Sequence, residues 1–367
     1  MEKIKFYFDC AIPLETCNLR CHYCYITHKR KFDSKLHPFP HSVETIRKAF
    51  SKERLGGLCV INLCACGETL LSNDVLPLAK ELILEGHYVQ IVTNGTIKKR
   101  FEEIAAWPIE LRKNLLIKFS FQFLEMERLH FFDVFFNNVN LMKNSSVAFT
   151  VEITPSDELI SRIPEVKKMC IERVGAVCHI SVARNELTKG FDILSQLDFD
   201  EYKKTWGAFD SALFEFKSEI FYKKRKEFCY AGAWSYFVDL FSGKIWACNY
   251  LPYIGNLYEN MDKPLPQKPV GCHCSLPHCY NGHSYLAYGV IPELKTPCYS
   301  ELRNRICSDN TEWLTPEVKA FFSTRLYESN REYSAFEKFW FETKYQCNRA
   351  YFKFRTIAGK IRRKLIP

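Results

Sequence analysis

Three cysteines near the start of the chain could hold a metal centre. Cys17, Cys21 and Cys24 are spaced as CxxxCxxC, and thiolates are soft ligands that suit zinc or an iron–sulfur cluster. A closed zinc site needs four ligands, and Cys10 or His22 could supply the fourth. Three thiolates on a cubane cluster instead leave one iron open for a substrate or cofactor. The spacing predicts a metal site, and these residues alone leave both metals open.

Two polar turns follow buried strands further along. The apolar run 58–63 enters Cys64-Ala65-Cys66-Gly67-Glu68, and the run 88–92 ends in Thr93-Asn94-Gly95. Glycine lets the backbone approach a ligand closely, and a carboxylate can hold an ammonium group. Residues that could bind a ligand are therefore predicted at the ends of three strands, counting the strand before Cys17.

Taken together, these motifs resemble the radical S-adenosylmethionine (AdoMet) superfamily, and the resemblance covers roughly residues 1 to 190. It implies that Cys17, Cys21 and Cys24 ligate a [4Fe–4S] cluster whose open iron is chelated by AdoMet. Electron transfer would then cleave AdoMet to a 5′-deoxyadenosyl radical, which takes a hydrogen atom from a substrate.

The resemblance also implies a set of AdoMet contacts at the strand ends. These are Tyr23, Cys66, Gly67, Glu68, Thr93, Asn94, Ser120, Gln122, Glu152 and Arg184. The family's commoner text is Gly-Gly-Glu-Pro, whereas Cys66 and Thr69 flank the Gly-Glu pair here. Ser120, Gln122, Glu152 and Arg184 have an alternative interpretation. A polar residue at the end of a strand can equally cap a helix or form a turn.

Alternating strand and helix patterns position these residues. Strands are predicted over 3–9, 58–63, 88–92, 115–121, 147–153 and 177–183, and helices over 41–52, 73–85, 97–106, 125–143 and 157–170. Strands that alternate with helices indicate parallel pairing. The predicted fold is α/β, a partial (β/α)6 TIM-type barrel with its active site at the carboxyl ends of the strands.

A second cysteine set follows the barrel. Cys229, Gly243 and Cys248 fit the C-x(9–15)-G-x4-C opening of SPASM and twitch domains, with a predicted hairpin over 234–247. This resemblance implies one or two auxiliary [4Fe–4S] clusters, with ligands drawn from Cys229, Cys248, Cys272, Cys274, Cys279 and Cys298. The spacing C-x-C-x4-C is compressed relative to that domain, so a zinc knuckle over 272–283 is an alternative.

Length and composition set the domain organisation. The 367 residues predict a barrel over 1–200, a cysteine-rich SPASM/twitch-like domain over 201–300 and a helical region over 301–367. Seventeen cysteines, an odd number, argue against a disulfide framework, and the first residues enter a strand rather than a secretory signal. The expected location is cytoplasmic.

The positive charge concentrates at the end of the chain. The formal net charge of the chain is +9. The basic residues near its end are Arg349, Lys353, Arg355, Lys360, Arg362, Arg363 and Lys364. This basic tail is typical of a solvated helix, and it also suits an anionic membrane surface or, less well, nucleic acid.

The predicted function is that of a radical AdoMet enzyme that abstracts a hydrogen atom from a peptide, a small molecule or a sugar. A flavodoxin or ferredoxin is the expected electron donor, and no catalytic acid or base stands out. Two alternatives remain: a non-catalytic or zinc-binding protein on the same fold, and an RNA-modifying enzyme, whose binding would weaken steeply with salt.

Overall fold

A single nine-stranded sheet organises the protein. The computed structural model describes residues 2–29, 31–249 and 251–365, without the side chains of 350 and 352–365. The strands run in the spatial order β6-β5-β4-β3-β2-β1-β7-β8-β9. They are β1 (Phe6–Ile12), β2 (Cys59–Ala65), β3 (Tyr88–Thr93), β4 (Leu115–Phe121), β5 (Ala148–Ile153), β6 (His179–Ile180), β7 (Ser235–Asp239), β8 (Lys244–Trp246) and β9 (Tyr253–Asn256).

Strands β1 to β6 are parallel, which confirms the predicted partial barrel. Their residues are almost all buried, as expected for parallel strands covered on both faces. Phe6, Phe8 and Cys10 belong to the core shared with the outer helices. Tyr7, the intervening residue, belongs to a second core with residues 285–302. Alternation along the strand thus separates two cores.

The helices surround this sheet. They are α1 (Tyr25–Lys29), α2 (Val43–Ala49), α3 (Lys52–Leu55), α4 (Val75–Leu84), α5 (Lys98–Ala105), α6 (Ile109–Arg112), α7 (Phe123–Arg128), α8 (Phe132–Asn144), α9 (Ile163–Val174), α10 (Phe199–Gly207), α11 (Ala212–Ile220), α12 (Gly282–Tyr285), α13 (Tyr299–Arg303), α14 (Pro316–Phe322) and α15 (Ala335–Leu365).

Three predicted elements differ from the structure. The helix predicted over 125–143 is divided into α7 and α8, because His130 between them has a φ of 56°. The helix predicted over 41–52 ends at Ala49, and Ser51 caps α3 by accepting a hydrogen bond from the Arg54 N–H. The sixth strand is only His179–Ile180, and the chain beyond it follows an irregular path.

The second half of the chain continues the sheet. The predicted hairpin is present, with β7 antiparallel to β8. Strand β7 also pairs in parallel with β1, placing Ser235 opposite Tyr7. This pairing was not predicted, and it joins the cysteine-rich segment directly to the barrel. The domain division at 200 and 300 stays a prediction.

Residues after 280 fill the remaining space inside the barrel. Tyr7 stacks on Tyr288 at 4.9 Å between ring centroids, and Tyr88 stacks on Phe321 at 4.0 Å. Across the described residues, the structure contains no helix with both the length and the apolarity to cross a bilayer.

Candidate functional site

A cavity of about 400 Å³ opens at the carboxyl ends of the parallel strands. We name it the loop cavity, because the CxxxCxxC loop forms one wall. Twelve of the predicted site residues line it: Cys17, Cys21, Tyr23, Cys24, Cys66, Gly67, Glu68, Thr93, Asn94, Ser120, Gln122 and Arg184. The motifs predicted to act together therefore share one cavity. Its volume lies within the range of about 300–1,000 Å³ found for small-molecule sites.

The CxxxCxxC loop is anchored to the barrel on two sides. The Arg20 N–H donates to Glu125 Oε2 at 2.8 Å, and the Tyr23 hydroxyl donates to Gln122 Oε1. On the other side, Asn94 Nδ2 donates to Asn18 Oδ1 at 2.8 Å. These contacts hold the CxxxCxxC loop against the barrel.

Gly67 brings the second motif against the first. Its N–H donates to the Leu14 carbonyl at 2.6 Å, and the N–H of Glu68 donates to the Thr16 carbonyl at 2.9 Å. A Cβ at position 67 would overlap the Thr16 carbonyl oxygen. Glycine is required by this close approach of two backbones. The neighbouring Cys66 carbonyl accepts a hydrogen bond from the Tyr25 hydroxyl at 2.8 Å.

The Glu68 carboxylate is buried and held by three donors. It accepts from the Thr93 hydroxyl at 2.6 Å, the Asn94 N–H at 2.6 Å and the Leu70 N–H at 2.9 Å. Burial raises the pKa of Glu68 and outweighs the lowering by these hydrogen bonds. A carboxylate offers about four acceptor positions, so capacity for a cationic ligand remains.

The thiols of the loop cavity fit a cationic metal centre. Burial, with a smaller contribution from the charges of Glu68 and Cys24, raises the pKa of Cys17 to about 11. Burial, with a smaller contribution from the charges of Cys24 and Cys17, raises the pKa of Cys21 to about 12. Metal binding would lower these thiol pKa values again, since a coordinated thiol is deprotonated. Among the described residues, no three His, Cys, Asp or Glu side chains converge closely enough to hold one metal ion.

The two residues proposed to complete a zinc site lie elsewhere. His22 Nε2 is 3.2 Å from Glu158 Oε2 on the protein surface. Cys10 is fully buried in the core of β1. Neither side chain lines the loop cavity.

Glu152 does not line the loop cavity, although it was predicted to contact AdoMet. It forms an ion pair with the fully buried Arg303 of α13. Burial acts to raise the pKa of Glu152, but the charges of Arg303, Lys118 and Lys217 outweigh burial and lower it to about 2. Within this structure its partner is a protein side chain.

Arg184 lies on the far wall of the loop cavity. Its guanidinium stacks on the Tyr280 ring at 3.5 Å from the centroid and donates to the Tyr280 carbonyl. The Tyr280 hydroxyl donates to Glu186, which pairs with Lys29 at 3.1 Å. The cysteine-rich segment therefore closes one side of the cavity.

Sequence reasoning missed several lining residues. They are Tyr25, Thr154, Ser181, Glu186, Tyr280 and Asn281, among others. Three of them carried a signal, because Tyr25 directly follows Cys24, and Tyr280 and Asn281 directly follow Cys279.

A second, smaller cavity of about 30 Å³ lies among the later cysteines. We name it the auxiliary cavity. Four thiols line it, those of Cys229, Cys248, Cys274 and Cys279. Leu251, Leu276, Val290 and Ile291 supply apolar walls, and Tyr280 and Asn281 border both cavities. Burial raises the pKa of Cys229 to about 12 and also raises that of Cys248, with neighbouring thiolates adding to both. Four half-buried thiols in a mostly apolar site likewise fit a metal cluster.

The remaining predicted ligands stand apart from the auxiliary cavity. Cys272 is exposed, and its N–H donates to Glu342 Oε1 at 3.1 Å. Cys298 is buried at the start of α13, with its sulfur 3.1 Å from the Ser300 hydroxyl. His283 of the predicted zinc knuckle also lies outside the lining residues. Four of the six predicted cysteine ligands therefore line the auxiliary cavity, and Cys272 and Cys298 do not.

Comparison with known proteins supports the fold. No protein-family model and no curated protein sequence matches the chain. Streptococcus suis SuiB bound to S-adenosylmethionine is similar, with a TM-score of 0.51 and 14% identity. SuiB in a second crystal structure has a TM-score of 0.50 and 13% identity. Both alignments cover 71% of this chain and 65% of SuiB, so the chain spans just under two thirds of SuiB. At such identity the likeness shows a common fold.

Proposed function

We propose that this chain, which has the fold of the radical AdoMet superfamily, is an enzyme that cleaves AdoMet reductively and abstracts a hydrogen atom from a substrate. One observation carries the proposal. Cys17, Cys21 and Cys24 share the loop cavity with Gly67 and Glu68, so three thiols that would hold a metal cluster and a carboxylate that would bind an ammonium group line the same cavity.

The cofactors would divide the loop cavity between them. Cys17, Cys21 and Cys24 would hold a [4Fe–4S] cluster, which supplies the electron that cleaves bound AdoMet. Glu68 would face the methionine ammonium, and its three hydrogen-bond donors keep the carboxylate oriented. Asn94 positions the loop through Asn18, and the Tyr23 hydroxyl is held by Gln122.

We propose that the auxiliary cavity holds one [4Fe–4S] cluster. Cys229, Cys248, Cys274 and Cys279 supply four thiols, which satisfies all four irons of a cubane. Such a cluster has no open iron, so its role would be to exchange electrons with the substrate or to shape the pocket. Tyr280 and Asn281 stand between the two cavities and would border the substrate.

The proposed substrate is a peptide or a small molecule such as a sugar, bound between the strand ends and Tyr280. Arg184 and Ser181 place a guanidinium and a hydroxyl on that wall. A small electron-transfer protein such as flavodoxin or ferredoxin would supply the electron.

The test is anaerobic purification and reconstitution, followed by counting of iron, sulfide and zinc per chain. The reconstituted protein is then reduced with dithionite in the presence of AdoMet and assayed for 5′-deoxyadenosine. We expect about eight irons, the content of two cubanes, and formation of 5′-deoxyadenosine.

Two results would replace the proposal in whole or in part. Zinc without iron, with no AdoMet cleavage, would indicate a zinc-binding protein on this fold. Tight RNA binding that falls steeply between 50 and 200 mM salt, about 10³-fold or more for six phosphate contacts, would replace the peptide or small-molecule substrate with RNA and indicate an RNA-modifying radical AdoMet enzyme.

A further inference from the structure

The last helix, α15, presents two different faces. One face packs on the cysteine-rich segment through Lys338, Phe341 and Tyr345. Lys338 Nζ pairs with Glu293 at 2.9 Å, Phe341 packs on Phe228 at 5.5 Å, and the Tyr345 ring stacks on His273 at 3.6 Å. These residues are spaced three and four apart, so they share one side of the helix.

The other face of α15 carries exposed aromatic side chains. Phe336 is 74% exposed, Phe339 65% and Trp340 61%. Their spacing of i, i+3 and i+4 places them together, and the docked face fixes their direction away from the protein. Tyr351, fifteen positions after Phe336, is 59% exposed. We name Phe336, Phe339 and Trp340 the aromatic face.

Exposed apolar side chains lie closer together along the chain at the aromatic face than elsewhere on the described surface. Fifteen large apolar side chains are exposed among the described residues, and four of them, Phe336, Phe339, Trp340 and Tyr351, lie outside the docked face of α15 within the seventeen positions 335–351. Elsewhere such residues occur singly, as with Leu84, Leu187 and Ile306. Scattered apolar residues need no explanation, whereas a contiguous patch marks an interaction site.

The charge of the same helix indicates what covers this face. Positions 349–364 contain seven basic residues and no acidic residue. The backbone of α15 continues through them to 365, while the basic side chains from Lys353 onward lie outside the described residues. A helix with aromatic residues on one side and many Lys and Arg is typical of one that lies in the interface of an anionic membrane.

Other occupants fit less well. A second copy of α15 would bring seven further positive charges against the first seven, which repel. Single-stranded RNA is bound in a positively charged groove with aromatic platforms, whereas the aromatic face is the outer side of a single helix.

We infer that α15 docks the protein on an anionic lipid surface, with the aromatic face entering the headgroup region and the basic tail meeting lipid phosphates and carboxylates. The inference goes beyond the proposed enzymatic function and does not depend on it. Each basic residue near such a surface increases affinity about fivefold, so the tail dominates the attraction and the aromatic face adds apolar burial.

The test is sedimentation of the full-length, reconstituted protein with vesicles. Phosphatidylcholine vesicles with 30% phosphatidylglycerol are compared with pure phosphatidylcholine in 0.1 M and 0.5 M NaCl. We expect binding to the anionic vesicles only, weakened at least tenfold at the higher salt, because the Debye length shortens. Quenching of Trp340 by brominated lipid, absent in Trp340→Phe, reports insertion.

Two variants separate the contribution of the aromatic face from that of the basic tail. Phe336→Ser/Phe339→Ser/Trp340→Ser should lose most vesicle binding, and Lys353→Glu/Lys360→Glu/Arg363→Glu should lose nearly all. The matched control is Leu84→Ser/Leu187→Ser/Ile306→Ser, which removes three equally exposed apolar side chains outside α15 and should bind like the wild type. Iron content and circular dichroism verify that each variant folds.

Several outcomes would overturn the inference. These are no vesicle binding by the wild type, equal binding to neutral vesicles, or unchanged binding by both variants. Dimerisation that the aromatic-face variant abolishes would make the face a contact between two copies. Salt-sensitive RNA binding without vesicle binding would assign the tail to nucleic acid.

Discussion

The two thiol-lined cavities differ in ligand number, size and surroundings. The loop cavity holds about 400 Å³ and is lined by five cysteines, the three of the CxxxCxxC loop with Cys64 and Cys66, together with the carboxylate of Glu68 and the guanidinium of Arg184. The auxiliary cavity holds about 30 Å³ and combines four thiols with mostly apolar walls. Three thiols leave a coordination position for a ligand, whereas four close the shell.

Under the proposed function, this difference would assign AdoMet cleavage to the loop cavity and electron transfer to the auxiliary cavity. A polar cavity with space beside the metal can bind and orient a charged cofactor. A small apolar cavity excludes exchangeable ligands, and its dielectric and hydrogen bonds would set a reduction potential. Tyr280 and Asn281, which border both, make the two sites neighbours.

Removing a thiol from the loop cavity should have the largest effect. We expect Cys17→Ala to abolish 5′-deoxyadenosine formation and to lower the iron content by about four per chain, because the cluster loses one of three ligands. Iron analysis and the AdoMet cleavage assay measure both. Cys10→Ala, a buried cysteine outside the cavity, serves as the control. Retained cleavage in Cys17→Ala would remove this residue from the mechanism.

A thiol removed from the auxiliary cavity should act differently. We expect Cys248→Ala to lower the iron content by about four while 5′-deoxyadenosine still forms, since the loop cavity is intact. Matched controls are Cys272→Ala and Cys298→Ala, whose thiols stand outside the auxiliary cavity and should keep their iron. Iron loss in either control would show that the cluster draws its ligands from a different set.

Gly67→Ala tests the contact between the two motifs that build the loop cavity. The added Cβ must push the Thr16 carbonyl away, and overpacking costs about 1–3 kcal/mol of stability. We expect AdoMet affinity, measured by anaerobic calorimetry, to fall about tenfold, or about 1.4 kcal/mol.

The control for Gly67→Ala is Gly207→Ala in α10. No atom lies within 4 Å of a Cβ at that position. Reduced freedom of the unfolded chain should make Gly207→Ala neutral or more stable by about 0.4–1 kcal/mol. Equal AdoMet affinity in Gly67→Ala and the wild type would mean that the strand ends do not need this close approach.

The sequence was sufficient to predict the parallel half of the fold. Alternating apolar runs and helical spacing located β1 to β5 within a few residues. The pairing of β7 with β1 was missed, because pairing between residues 228 positions apart leaves no local pattern. The break at His130 was also missed, since nothing in its side chain requires a positive φ.

For the site, motifs with fixed spacing were more informative than single polar residues. The CxxxCxxC loop, Gly67 and Glu68 all line the loop cavity. Glu152 was placed at a strand end correctly, but its partner Arg303 is 151 positions away, and only tertiary packing brings the two together. Likewise, spacing could not say which four of the six later cysteines line the auxiliary cavity.

Glu152 and Arg303 form an ion pair within the chain itself, and the Arg303 side chain is fully buried. The pKa of Glu152 falls from an ordinary 4.5 to about 2, which corresponds to about 3 kcal/mol of stability. Because the folded pKa is the lower one, this stability is present above pH 4.5 and is lost as the pH falls toward 2.

We therefore expect Glu152→Gln to lower the melting temperature at pH 7, by a difference that stays constant to about pH 5 and narrows below pH 4.5. Thermal unfolding of the metal-free protein across this range measures it. The control is Glu127→Gln, whose partner Arg162 is at the surface and whose loss should cost at most about 1 kcal/mol. A difference that persists unchanged to pH 3 would mean that Glu152 stabilises the barrel by packing and not by its charge.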